Sequence, residues 1–301
     1  MGRVRRALAS DHLAGWGFVA PSVVLIAIFG LYPIISGFVL SLQRAGLLTP
    51  TREFVGLHNY ASIMHDPRAI EAAKHAVFYT AAFVPISVLG ALMIAVALNR
   101  KIRFIKFYRL AVFIPVVTST IATGIMFLWV FDKNYGLANY LLGKVGLGPF
   151  GFFESVSGAL PSLVAMTVWG WLGFDVIVYL AALQGIPYEL MEAAAIDGAS
   201  SGSVFRTITW PLLGPATLLL VVWSSISALQ LFDEVYFVTN GGPLGATNMP
   251  VFYVFVLAFR QGIGYPLAGY AAAIAYVLFV AILLLTLVQF WMGRRVVHYS
   301  A

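Results

Sequence analysis

The sequence predicts an all-α integral membrane protein with six transmembrane helices. Three observations carry this. Of 301 residues, 61% are hydrophobic and only 10% charged, with a mean hydropathy of +0.91. Soluble domains carry about 25% charged residues, so this chain has too little polar surface to cover a soluble globule. The apolar residues also form long continuous runs rather than an alternating pattern, which disfavours lipid-facing strands. Six runs reach the ~20 residues needed to cross about 30 Å of hydrocarbon, where helices satisfy their own backbone groups.

The first run, Leu13–Leu42, follows a basic start (Arg3, Arg5, Arg6). It is too long for the apolar core of a signal peptide and is expected to persist as the first span. Position six lacks the Ser or Thr of a myristoylation signal. The others are Ala76–Leu98, Leu110–Phe131, Ala159–Leu183, Leu212–Phe232 and Tyr270–Met292. Pro21, Pro33, Pro85, Pro115 and Pro215 fall within runs one, two, three and five. Each removes a backbone donor and can kink its helix. Such kinks suit a protein that opens on alternate sides, and equally suit static bends held by packing. With no internal repeat or low-complexity linker, residues 1–301 read as one membrane domain.

Orientation follows from the basic residues. An inside N-terminus leaves eleven Lys and Arg in inside segments and seven in outside ones. The loop Asn99–Arg109 alone holds Arg100, Lys101, Arg103, Lys106 and Arg109 and no acid. Both termini are therefore expected in the cytoplasm. The net charge of +6 is spread between apolar runs and is not a nucleic-acid footprint. The absence of cysteine excludes disulfides and thiolate metal sites. The histidines (His12, His58, His65, His75, His298) show no paired ligand spacing, so no metal site is expected.

The segment between runs four and five, about residues 186–211, is the most informative. Pro187 suits the first helical position, with Glu189 and Glu192 in the first turns, where acids complement the helix dipole. Ala193, Ala194 and Ala195 favour helix. Gly198, after Asp197, permits a sharp turn with positive φ. Ser200 or Ser201 can cap a second short helix carrying Phe205 and Ile208, which Pro211 is expected to end. The reading is a helix-turn-helix knob shaped for a partner's groove. An amphipathic helix lying on lipid is the alternative, but three acids and one Arg do not suit it.

This segment, Ile186-Pro187-Tyr188-Glu189-Leu190-Met191-Glu192-Ala193-Ala194-Ala195-Ile196-Asp197-Gly198-Ala199, resembles the EAA loop of permeases from binding-protein-dependent ABC importers. It is most similar to the carbohydrate-uptake class, including the maltose and glycerol-3-phosphate systems. Phe54-Val55-Gly56-Leu57-His58-Asn59-Tyr60, Arg109 with Phe113-Ile114-Pro115, and Thr239-Asn240-Gly241-Gly242-Pro243 resemble further elements of that class. The ending Ile208-Thr209-Trp210-Pro211-Leu212-Leu213 looks like the maltose-F type of subunit, without that protein's extra N-terminal helices and outer domain.

The resemblance implies the type I importer permease fold. It also implies a second permease forming a heterodimer, two copies of a cytoplasmic ATPase, an extracytoplasmic substrate-binding protein, and a bacterial or archaeal inner membrane. ATPase-coupling residues would then be Glu192, Ala193, Ala194, Asp197, Gly198, Phe205, Ile208 and Pro211. Binding-protein contacts would come from Asn59, Tyr60, Gly241, Gly242 and Pro243. A sugar, oligosaccharide or glycerol-phosphate compound would be the solute. No phosphate-cradling Gly-x-x-x-x-Gly-Lys-Ser/Thr element occurs. The chain is therefore expected to be non-catalytic and to hold no cofactor, with ATP and Mg on the partner ATPase.

Candidate pathway residues lie within the runs. Asp175 is the clear ionisable group deep in a span, with Trp169 and Trp171 nearby as sugar-stacking faces. A structural Asp bonded to neighbouring helices is the competing reading. Ser224, Ser227 and Gln230 recur at helical spacing, which serves pore lining or helix packing alike. The lack of a basic residue deep in a span favours a neutral ligand. The alternative function is an ion-coupled secondary transporter, which would need more intramembrane acids than Asp175. A membrane enzyme would need a catalytic cluster, and none is visible; a bare assembly anchor would lack flux through pore residues.

Overall fold

The computed structural model describes residues 16–46, 52–100, 103–261, 265 and 267–296. Arg3, Arg5, Arg6, His12, Lys101 and His298 lie outside the described residues, as do the side chains of Arg294 and Arg295. In chain order the elements are α1 (Trp16–Ser41), β1 (Gln43–Arg44), β2 (Glu53–Phe54), α2 (His58–Ile63), α3 (Pro67–Leu98), α4 (Ile105–Val117) and α5 (Thr120–Val130). There follow α6 (Leu137–Lys144), α7 (Val156–Gln184), α8 (Tyr188–Ile196), α9 (Ser201–Leu212), α10 (Gly214–Leu229), α11 (Pro250–Gln261) and α12 (Ala268–Val296).

Four helices, α1, α3, α7 and α12, are individually long and apolar enough to cross a membrane. Two bent pairs, α4 with α5 and α9 with α10, meet that test jointly. The six apolar runs thus become four unbroken helices and two broken ones. The third run, expected as one span, bends by 102°. Thr118 and Ser119 at the break both have extended backbone, with ψ of 136° and 135°, so the helical ladder stops there. The fifth bends by 61° at Leu213.

The chain divides into two compact units: residues 1–63 with 255–276, and residues 64–254 with 277–301. In the first, α1 contains a π turn at Ala27–Leu31, with the Tyr32 N–H bonded to the Ala27 carbonyl, just before Pro33. Proline lacks a donor and crowds the carbonyl four residues back, so the widened turn removes both conflicts. The β1–β2 pair is antiparallel, Gln43 opposite Phe54 and Arg44 opposite Glu53. The start of α12 closes on it: the Gly269 N–H donates to the Ala45 carbonyl at 3.2 Å, and a Cβ on Gly269 would collide with the Gln43 carbonyl oxygen.

In the second unit, α3 and α7 pack against each other over most of their length, with α10 across α3 and α4 against α7. Lipid is as apolar as a leucine side chain, so close packing must hold such helices together. The buried positions of α3 accordingly include small residues four apart: Ala72 and Ala76, then Ser87, Ala91 and Ala95, each at most 2% exposed. Gly173 of α7 meets α4 so closely that a Cβ there would collide with the Val112 carbonyl oxygen. Asp66 caps α3 by accepting the Arg68 N–H at 2.9 Å, with Pro67 at the helix start. Ser155 caps α7 through the Gly158 N–H at 3.0 Å.

Candidate functional site

The segment between α7 and α10 folds as a helix-turn-helix. Pro187 sits at the N-cap of α8, one position before the expected first turn. Gly198 has φ +71°. The Gly198 N–H donates to the Ala195 carbonyl at 3.1 Å and the Ala199 N–H to the Ala194 carbonyl at 2.9 Å. Together these form a complete Schellman ending, which requires a left-handed residue where glycine stands. Ser200 then caps α9, accepting the Ser203 N–H at 3.3 Å. Pro211 does not end this helix. A π turn at Phe205–Thr209, closed by the Trp210 N–H on the Phe205 carbonyl, accommodates it, and α9 runs to Leu212.

Within this knob Glu192, Ala193, Asp197 and Gly198 are exposed, Phe205 and Ile208 half-buried, Ala194 buried and Pro211 exposed. Ile196 is 86% exposed beside them, an apolar side chain in the open at the tip of α8. An open cleft beneath the knob is lined by Met191, Ala195 and Phe205 together with Asn99 and Arg100. The basic loop after α3 and the knob therefore lie at the same end of this unit.

Three of the six pathway candidates come together. Trp171, Ser227 and Gln230 line a cavity of about 240 Å³ between α3, α7 and the end of α10, with Tyr79, Thr167 and Glu234. A smaller cavity of about 70 Å³ shares Thr120, Thr167, Trp171 and Glu234 with it. Glu234 is 9% exposed, and Trp171 lines both cavities with it. The Tyr79 hydroxyl is buried and has no hydrogen-bond partner among the described residues.

The other three lie elsewhere. Asp175 is 2% exposed and accepts a hydrogen bond from the Ser87 hydroxyl at 2.5 Å, tying α7 to α3. Trp169 packs its ring on Phe127, centroids 5.5 Å apart. Ser224 is buried on α10. Glu234, Asp233 and Tyr79 were not among the sequence candidates. The signal for the acids is present, a pair placed immediately after an apolar run, but their burial depends on α3 and α7.

The binding-protein-contact candidates are largely structural in their contacts. Asn59 is buried, its amide donating to the Ser41 and Gln43 carbonyls at 2.8 and 3.0 Å. The Tyr60 hydroxyl pairs with that of Ser41 at 2.6 Å. Gly241, with φ +80°, lies where a Cβ would stand 2.6 Å from the Phe252 ring. Gly242 accepts the Thr247 hydroxyl through its carbonyl at 2.8 Å. Gly242 and Pro243 are half-buried, and Leu244 beside them is 95% exposed.

Residues 75–298 match the family model described as binding-protein-dependent transport system inner membrane component. The chain belongs to this family of membrane transport permeases. The permease is 36% identical to the lactose transport system permease protein of Rhizobium radiobacter, the alignment covering 93% of this chain and 94% of that one. It is 35% identical to the arabinooligosaccharides transport system permease protein of Bacillus subtilis (strain 168), over 93% and 88%. The fold of the permease superposes on a chain of a bacterial ABC transporter that imports the acidic polysaccharide alginate. The TM-score is 0.83 at 21% identity, covering 98% of this chain and 100% of that one.

Proposed function

We propose that this chain is the translocating subunit of an ATP-driven importer for a saccharide or a similarly hydroxyl-rich solute. The observation that carries the reading is the knob itself. The α8–α9 element combines a Schellman turn, an exposed acidic and alanine-rich first helix and the exposed Ile196. It is closed by its own backbone hydrogen bonds and presents a small surface for a groove. We assign its partner as a cytoplasmic ATPase, two copies serving this chain and a sister permease, with ATP and Mg held there. An extracytoplasmic binding protein delivers the solute. Sugar as the solute class is supported by the lactose and arabinooligosaccharide relatives.

The cytoplasmic side is assigned to the end holding the knob, because Arg100 and Asn99 of the basic loop adjoin it. In this scheme ATPase closure draws two knobs together. A ligand that binds one state better than the other supplies the bias between inward- and outward-open forms.

The test is purification of the tagged chain from its host in mild detergent, with co-purifying proteins identified by mass. Gly198→Pro cannot adopt φ +71° and loses the N–H bond to Ala195, so it should release the ATPase while retaining the sister permease. Glu192→Lys should do the same by reversing an exposed charge. A wild-type chain that purifies as a homo-oligomer without an ATPase overturns the reading and favours ion-coupled transport.

A further inference from the structure

A groove opens where α3, α4 and α7 converge near the basic loop. Its volume is about 270 Å³, and its walls are apolar apart from Arg109. Leu98, Gly173, Val176 and Leu180 form a buried floor, and Leu110, Phe113 and Ile177 an exposed rim. From Gly173 to Leu180 the floor follows α7 for about 10 Å at ~1.5 Å per residue. That is two thirds of the ~15 Å of hydrocarbon in one leaflet. A hydroxyl-rich solute would find few polar partners there, whereas an acyl chain needs none.

Arg109 is exposed, and its Nη2 donates to the Leu98 carbonyl at 3.2 Å. That bond satisfies a carbonyl at the end of α3 and holds the guanidinium at the groove's mouth. It uses one of the five N–H donors of an arginine, and no carboxylate lines the groove. Arg100, Arg103 and Lys106, exposed between the end of α3 and the first turn of α4, carry the same sign. Phe104 and Phe107 are 69% and 67% exposed there, and the Arg103 guanidinium lies 5.3 Å from the Phe104 ring centre. Interleaved aromatic and basic side chains mark the level of the lipid headgroups. Membrane orientation alone accounts for the charge of this loop, but it requires neither a groove nor a fixed guanidinium. A cation held at headgroup depth over an apolar slot matches a molecule with an anionic head and a hydrocarbon tail.

We propose that this groove binds an anionic phospholipid, one acyl chain lying along α7 and the phosphate held by Arg109. The guanidinium fork meets two phosphate oxygens at once, which an ammonium cannot do. One Lys or Arg beside an anionic headgroup is worth about a fivefold preference over a neutral one. The site stands independently of the importer reading and requires only that the chain spans a membrane.

The chain has no cysteine, so Ile114→Cys, exposed on α4 one turn beyond Leu110, takes a single bimane label beside the groove. The labelled full chain, with the subunits that accompany it, is reconstituted into phosphatidylcholine vesicles containing increasing fractions of dibrominated phosphatidylglycerol, whose acyl chains quench the label. Phosphatidylglycerol should be enriched at the label at least about fivefold over its bulk fraction. The same label on Leu283→Cys of α12, a position 45% exposed, should show no enrichment. Arg109→Gln should bring the ratio within twofold of bulk, and Arg109→Lys should leave an intermediate value. Ile177→Trp fills the groove from its rim without altering Arg109 and should also abolish the enrichment, with size exclusion as the check on folding of each variant. Inorganic phosphate added to the vesicles should leave the enrichment in place. Four outcomes each overturn the site: a ratio near bulk in the parent Ile114→Cys chain, equal enrichment at Leu283→Cys, enrichment that survives both Arg109→Gln and Ile177→Trp, or displacement by inorganic phosphate. Absence of quenching at Ile114→Cys alone would also overturn it, by showing that another protein helix covers the groove.

Discussion

Gly173→Ala tests how closely α4 is held against α7. A Cβ at Gly173 would collide with the Val112 carbonyl oxygen and lie 2.8 Å from the Val116 Cγ2. The first is a backbone atom, so relief requires moving α4 rather than turning a side chain. Overpacking of this kind costs about 1–3 kcal/mol. The same substitution also removes a helix-interior glycine, which returns about 1 kcal/mol of propensity. Gly170→Ala, one turn earlier on α7, isolates that gain, because nothing lies within 4 Å of a Cβ there. The two alanine variants therefore carry equal propensity changes and differ by the collision alone. Gly170→Ala should be neutral or up to about 1 kcal/mol more stable than wild type, with Gly173→Ala about 1–3 kcal/mol below Gly170→Ala. Reversible unfolding of the purified chain in mixed micelles, followed by circular dichroism, measures the difference. Equal stability of the two variants would refute the close approach of α4 and α7.

Two further outcomes follow from the same packing. Ser87→Ala removes the hydroxyl that Asp175 accepts between α3 and α7, leaving a buried carboxylate short of a donor, and should cost about 1–3 kcal/mol. In the same micelle assay Asp175→Asn in the Ser87→Ala background should recover part of that loss, and a larger loss in the double variant would show that the pair is not coupled. Asn59→Ala removes two amide hydrogen bonds to the Ser41 and Gln43 carbonyls and should loosen the β1–β2 pair. Faster hydrogen exchange across residues 52–55, with that of α7 unchanged, is the expected result.

Much of this architecture is legible in the sequence because lipid simplifies the code. Continuous apolar length announces a crossing helix whatever its neighbours, and α3, α7 and α12 contain their runs whole. The Gly198 turn and the Ser200 cap are legible for another reason: both are settled by bonds within a few residues. The failures are features that local bonds do not decide. The run Leu110–Phe131 stays apolar across its break, so only the extended backbone at Thr118 and Ser119 reveals the 102° bend. Pro211 signals a helix end, yet the π turn Phe205–Thr209 just before it absorbs it. Glu234 follows a run and reads as loop, but α3 and α7 bury it beside Trp171.

The bend at Leu213 joins the two candidate regions by a single stretch of backbone. α9 belongs to the knob, and α10 begins directly after the bend and ends at Gln230 on the cavity wall. Its 16 residues span about 24 Å at ~1.5 Å each. Leu213 is fully buried, its N–H donates to the Thr209 carbonyl at 3.0 Å, and the Thr217 N–H donates back to the Leu213 carbonyl at 2.8 Å. The bend is thus hydrogen-bonded on both sides and buried at its centre, whereas the break at Thr118–Ser119, also hydrogen-bonded on both sides, is extended and exposed. Tyr179 of α7 adds a hydrogen bond to Thr217 at 3.1 Å, fixing the base of α10 against the bundle. A displacement of the knob would therefore reach the cavity as a tilt of α10 about Thr217, moving Gln230 at its far end more than Tyr179 at its base. In the proposed cycle the wall carrying Ser227 and Gln230 is the part that moves, while Tyr79 and Trp171 stay with α3 and α7.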